Sequence, residues 1–155
     1  MKKKKVALLA NLKVNAPKWE GMSEDHWDDL DSEKTIQSLM DAIQSGGHEC
    51  EFLEGDRTLL QTIPKFKPDI CFNICEGHFG DSREAQVPAM MEMLRIPYTG
   101  SRVFTLALAL DKPMTKRILW WHELPTPAFQ EFDRADEPLQ EDLKFPLFVK
   151  PSREG

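Results

Sequence analysis

Three short stretches of this 155-residue chain carry the side chains able to do chemistry: Glu76, His78, Arg83 and Glu84 in "CEGHFGDSREAQ", Lys112 and Lys116 in "DKPMTK", and Lys150, Ser152 and Arg153 in "FVKPSREG". Separate lysines beside turns suit an anion. An ammonium group meets phosphate as a point charge, and a strand running into a Ser/Gly turn presents backbone N–H groups to the same oxygens. Each group also has a plainer reading. A surface lysine is ordinarily solvated, which is the expectation for Lys116. Glu76 and Arg83 can pair with each other at the surface, for at most about 1 kcal/mol. His78, between Gly77 and Phe79, is of a residue type used in acid–base work, yet a structural or exposed role is expected for it. His26, His48 and His122 share no ligand spacing with it, so no metal site is expected among these residues. Neither G-x-G-x-x-G nor G-x-x-x-x-G-K-[ST] occurs, which removes the fingerprints of the common dinucleotide and P-loop sites.

The elements that must position these residues alternate between strand and helix, a pattern that predicts an α/β fold: an open parallel sheet with helices on both faces. The first strand is predicted over Lys5 to Asn11. The acidic stretch "NAPKWEGMSEDHWDDLD" has no apolar period and reads as a long surface loop, either functional or solvated filler. A helix capped by Asp31 or Ser32 follows, with Ile36, Leu39, Met40 and Ile43 on one face and Gly46 and Gly47 at its end. "HECEFLE" predicts a second strand, "TLLQTI" a short helix, and "DICFNI" a third strand suited to the sheet's middle. Pro88 fits only a first helical turn, so the residues from Glu76 to Gln86 form mostly loop, leaving the carboxyl end of a strand where parallel sheets bind ligands. "IPYTGS" predicts a short strand and turn, "RVFTLALAL" a buried helix, and "DKPMTKRILWWHEL" a helix capped by Asp111, with Trp120 and Trp121 as core or domain contact. From "PTPAFQEF" onward a strand, an acidic turn region and a terminal strand over Leu147 to Val149 are expected. A domain boundary near Leu124 divides residues 1–124 from 125–155.

Composition limits the function classes. A net charge of −6 and the lack of a basic aromatic stripe argue against nucleic acid or an anionic membrane surface as partner. The opening "MKKKKVALLANLK" imitates a signal peptide, but its apolar run ends by Leu12 without a small-residue cleavage site. No stretch approaches the roughly 18 apolar residues of a membrane span. Cys50, Cys71 and Cys75 are odd in number, so reduced, packed thiols in a cytoplasmic protein are expected.

Taken together, "FNICEGHFGDSREAQVPAMMEMLRIPYTGS", "LALDKPMTKRIL", "LPTPAF" and "FPLFVKPSREG" stand in an order that resembles the D-alanine–D-alanine ligase family of ATP-grasp enzymes. The resemblance covers most of residues 68 to 155; residues 1 to 67 match only in their strand–helix–strand logic. It implies a Rossmann-like amino-terminal sheet domain followed by the beginning of a small α+β ATP-grasp subdomain. It implies ATP and Mg2+ in the complete enzyme, a small amino acid or dipeptide-like substrate and a possible homodimer. By position, Lys112 and Lys150 match the two lysines that contact ATP phosphates, and Ser152 to Gly155 match the start of the loop covering them. Glu76 stands where the family has histidine, and with Arg83 it is the candidate for the substrate-side chemistry. The family's glycine-rich turn after the first strand is missing, and neither Glu20 nor Glu24 is assigned its ammonium-binding role. The metal-holding carboxylates and adenine pocket would lie beyond Gly155, so the chain is expected to be a fragment, inactive alone and without tight cofactor binding. The rival expectation from another class is a non-catalytic binding module that reuses the fold, or an ATP-grasp ligase making a different amide.

Overall fold

The structure is a computed structural model and describes residues 2–154. Its centre is β1 (Lys5–Ala10), which is followed by α1 (Glu33–Ser45), β2 (Glu49–Glu54), α2 (Leu59–Phe66) and β3 (Ile70–Asn73). The three strands are parallel in the order β2-β1-β3, with Val6 opposite both Cys50 and Ile70. A middle parallel strand is covered on both faces and must be apolar throughout, and "KVALLA" supplies that. Ala7 and Leu9 face a core shared with Leu59, Ile63 and Phe66 of α2 and with Val87 and Met91 of the helix that follows β3. Leu8 and Ala10 face the opposite core, against Ile36 of α1. Both leucines are fully buried, each worth about 1.5–3 kcal/mol. Helices therefore lie on both faces, as the alternation predicted.

The predicted cap of α1 is Ser32, whose hydroxyl accepts from the Thr35 N–H at 3.1 Å. After β3 the chain forms a single 3-10 turn (Arg83–Ala85), then α3 (Gln86–Leu94), α4 (Val103–Leu110) and α5 (Lys112–Trp121). The "IPYTGS" strand is reduced to one parallel bridge, Cys71 to Tyr98, with Cys71 N–H donating to the Pro97 carbonyl at 2.8 Å and Thr99 N–H to the Cys71 carbonyl at 2.9 Å.

Several expectations differ from the structure. β3, expected in the middle of the sheet, lies at its edge while β1 takes the middle, and the strand expected from "PTPAFQEF" does not form, for want of a neighbouring strand to pair with. α4 forms but is buried only at Leu110: it packs on α5, α3 and the Arg83–Ala85 turn, which cover one side and leave Phe104 in solvent. Trp120 and Trp121 are 75% and 83% exposed, because the last turn of α5 finds no element to lie against among the described residues. The strand over Leu147 to Val149 does not form; no neighbouring strand offers its backbone partners, and Phe148 and Val149 stand exposed. The three cysteines are free and buried, and among the described residues no helix is long and apolar enough to cross a membrane.

Candidate functional site

The carboxyl ends of all three strands are tied by one side chain that ends the apolar run of β1. Asn11 is 1% exposed. Its Nδ2 donates to the Gly55 carbonyl beyond β2 at 3.0 Å, and its Oδ1 accepts from the Gly77 N–H beyond β3 at 2.8 Å. Its own carbonyl accepts from the Asp31 N–H at 3.0 Å, and the Lys13 N–H donates to the Asp31 carbonyl at 3.0 Å, which closes the neck of the acidic loop. Glu54 adds a second tie, accepting from the Leu12 N–H at 2.8 Å and from Asn15 Nδ2 at 2.7 Å. The acidic loop is not uniformly solvated. Trp27, Leu30 and Ala16 bury each other, and Trp27 Nε1 donates to the Pro17 carbonyl at 2.8 Å.

Against that edge stand the residues of the β3 loop. Burial pushes the Glu76 carboxyl up to about 7, helped by the carboxylates of Glu84 and Asp29 and opposed by the Arg83 guanidinium. A carboxyl that titrates near neutrality can exchange a proton or hold an ammonium group. Burial raises the Asp31 carboxyl as well. The expected surface pair of Glu76 with Arg83 is not what forms. Arg83 is 6% exposed, and its guanidinium donates to the Arg153 carbonyl at 2.7 Å and to Glu154 Oε2 at 3.0 Å, with Asp29 Oδ2 at 3.8 Å. The loop doubles back tightly enough that a Cβ on Gly77, at φ 75°, would lie 2.7 Å from the Arg83 carbonyl oxygen. Only glycine fits there.

A pocket of about 270 Å³ opens beside Arg83, walled by Trp19, His26, His78 and Phe79 and closed by Arg153 and Glu154. The rings meet edge to face, His78 against Trp27 at 5.4 Å and Trp19 against His26 at 4.8 Å. His78 Nε2 and Asn73 Oδ1 are buried atoms without a hydrogen-bond partner. The sequence reading missed Asn11, Asp29 and the aromatic wall. Asn11 was visible as the lone amide closing an apolar strand, whereas the wall is assembled from two loops some fifty residues apart in the chain.

The lysines divide. Asp111 caps α5 by accepting from the Met114 N–H at 2.8 Å, as predicted. The Lys112 N–H donates to the Ser152 carbonyl at 3.0 Å and its ammonium to the Glu154 carbonyl, so the second and third motifs meet. Lys150 lies apart, exposed, over the Phe148 ring at 5.1 Å from its centroid. Lys116 is not solvated as expected: its ammonium donates to Thr126 Oγ1 at 3.0 Å and the Pro127 carbonyl at 2.9 Å, over the Phe129 ring. Gly155 lies outside the described residues. Among the described residues no group of three or more His, Cys, Asp or Glu side chains is arranged to hold a metal ion.

No protein-family model matches the chain. It is similar to an uncharacterised protein of Sinorhizobium fredii, 39% identical over 78% of this chain and 38% of that one. It is similar to the D-alanine–D-alanine ligases of Pelagibacter ubique, 32% identical over 87% of this chain and 45% of the relative, and of Syntrophotalea carbinolica, 34% identical over 79% and 39%. The crystal structure of the D-alanine–D-alanine ligase of Bacillus anthracis complexed with ATP superposes with a TM-score of 0.68 at 22% identity, covering 97% of this chain and 48% of that one, which establishes the shared fold. The chain thus spans less than half the length of these relatives. Over that span it is a relative of the D-alanine–D-alanine ligase family.

Proposed function

We propose that this chain supplies the substrate-side domain and the first piece of the central domain of an ATP-dependent carboxylate–amine ligase. The observation that carries the reading is the meeting of Lys112 with the Ser152 to Glu154 segment at the carboxyl edge of the sheet, because the two motifs expected to face one triphosphate are 40 residues apart in the sequence (152 − 112). Its ligase character is supported by the names of the relatives, and its use of ATP by the ATP bound in the Bacillus anthracis enzyme. In such a reaction a substrate carboxylate oxygen attacks the γ-phosphorus and ADP leaves. An amine then attacks the acyl carbon, phosphate leaves and the amine loses a proton.

The residues here have distinct parts in that reading. Lys112 neutralises phosphate charge; Lys150, which stands apart from it over Phe148, is given the same part by its place in the motif alone, and Ser152 and Gly155 begin the loop that covers the phosphates. Glu76, raised toward neutrality by burial, meets the ammonium group of an amino acid substrate. Arg83 lies beside it at the same edge. Mg2+ finds no ligand set among the described residues, so no step is assigned to it. The boundary near Leu124 belongs to the same reading, supported by the absence of helix and strand from 122 to 154, as do a cytoplasmic site of action, where ATP is available, and a homodimer.

Titrating ATP into the isotope-labelled chain tests the phosphate assignment. Backbone shift changes are expected at Lys112 and through Ser152 to Glu154, weak in affinity and abolished by Lys112→Ala. Shift changes confined to other surfaces, or none at all, would overturn the assignment.

A further inference from the structure

The segment Ser152 to Glu154 is tied both to the loop after β3 and to the start of α5. Arg83 binds it twice, through the Arg153 carbonyl at 2.7 Å and the Glu154 carboxylate at 3.0 Å. The Arg153 side chain answers in the other direction, donating to Asp111 Oδ2 at 3.0 Å and to Asp81 Oδ2 at 3.3 Å. Lys112 takes the Ser152 carbonyl through its N–H and the Glu154 carbonyl through its ammonium. These contacts differ in weight. The Arg153 pairs are exposed and screened by solvent, and such pairs contribute little. Arg83 is buried, so its guanidinium is costly to leave without acceptors, and a planar fork that reaches a carbonyl and a carboxylate together also fixes direction. Its backbone is set in advance by the Gly77 turn and by the Arg83 N–H bonded to the Gly80 carbonyl at 3.2 Å.

We propose that Arg83 is a positioning residue: its buried guanidinium draws Arg153 and Glu154 onto the sheet edge, so that the loop leaving β3 and the segment after Lys150 form one rigid body closing the aromatic pocket. The inference rests on the ligase reading only for the identity of that segment as the start of a phosphate-covering loop; the clasp itself needs no nucleotide. Its consequence is that the substrate-side edge and the phosphate-covering loop are mechanically coupled through one side chain.

Backbone relaxation of the labelled chain, measured without ATP, tests it. In the native chain the amides of Arg153 and Glu154 are expected to have order parameters near those of β1, about 0.85, and in Arg83→Gln and Glu154→Gln to fall below about 0.6 while β1 to β3 stay unchanged. Arg83→Lys, which keeps the charge and reaches one acceptor, is expected to restore part of the order. A segment already mobile in the native chain, or one equally rigid in both glutamine variants, would overturn the proposal. So would Arg83→Lys as mobile as Arg83→Gln, since packing rather than charge would then be responsible. If the clasp holds and ATP leaves Lys112 unperturbed, the ligase reading fails while this inference stands; the converse pair of results separates them the other way.

Discussion

Glu76 shows how environment changes what one residue type does. In sequence it is a carboxylate among other charges, able to pair with Arg83. In the fold it is half-buried beside Glu84 and Asp29 while Arg83 is engaged by Glu154, so its proton is held to about pH 7. Because the folded-state value is raised above the unfolded one, the stability it contributes is fully present below about pH 4.5 and is lost as pH rises through 7. Unfolding free energy, followed by urea denaturation, is therefore expected to fall between pH 5.5 and pH 8. Glu76→Gln is expected to remove up to about 2 kcal/mol of that fall. An unchanged pH dependence in the variant would place the titrating group elsewhere. Cys75 follows the same logic in an apolar setting, where burial raises its thiol well above the ordinary value and leaves it inert.

At the scale of elements, the edge is held by side chain to backbone bonds more than by the strands themselves. Asn11 satisfies a donor after β3 and an acceptor after β2, both beyond the last ladder pair. Asn11→Ala leaves the Gly77 N–H and the Gly55 carbonyl unpaired in a buried site, and a cost of about 2–4 kcal/mol in denaturant unfolding is expected. A loss below about 1 kcal/mol would mean that water replaces the amide. The capped helices α1 and α5 were legible because Ser32 and Asp111 act within one turn of their own position. α4 was misjudged for the opposite reason. "VFTLALAL" is apolar at every position but Thr105, which specifies a helix able to be buried without saying what covers it.

At the scale of the molecule, the sheet domain is closed and the helices after it are open. Phe104, Trp120 and Trp121 lie on the exposed sides of α4 and α5, an apolar surface of the kind that marks contact with another element or partner. Replacing both tryptophans by serine is expected to leave the free energy of unfolding within about 0.5 kcal/mol per site. The same double variant is expected to sediment with less self-association than the native chain. A marked loss of stability would instead show that these rings are packed in solution.

The periodicity of the first 120 residues, the caps and the turn glycines were enough to determine the parallel α/β sheet, since each signal acts over a few residues along the chain. Motif order was enough to identify the relatives. Tertiary structure alone decided which charges meet: that Arg83 turns from Glu76 to Glu154, that Lys112 reaches Ser152 while Lys150 does not, and that Trp19 and Phe79 share one wall. Electrostatic partnership depends on distance in space and on burial, and neither is encoded by spacing along the sequence.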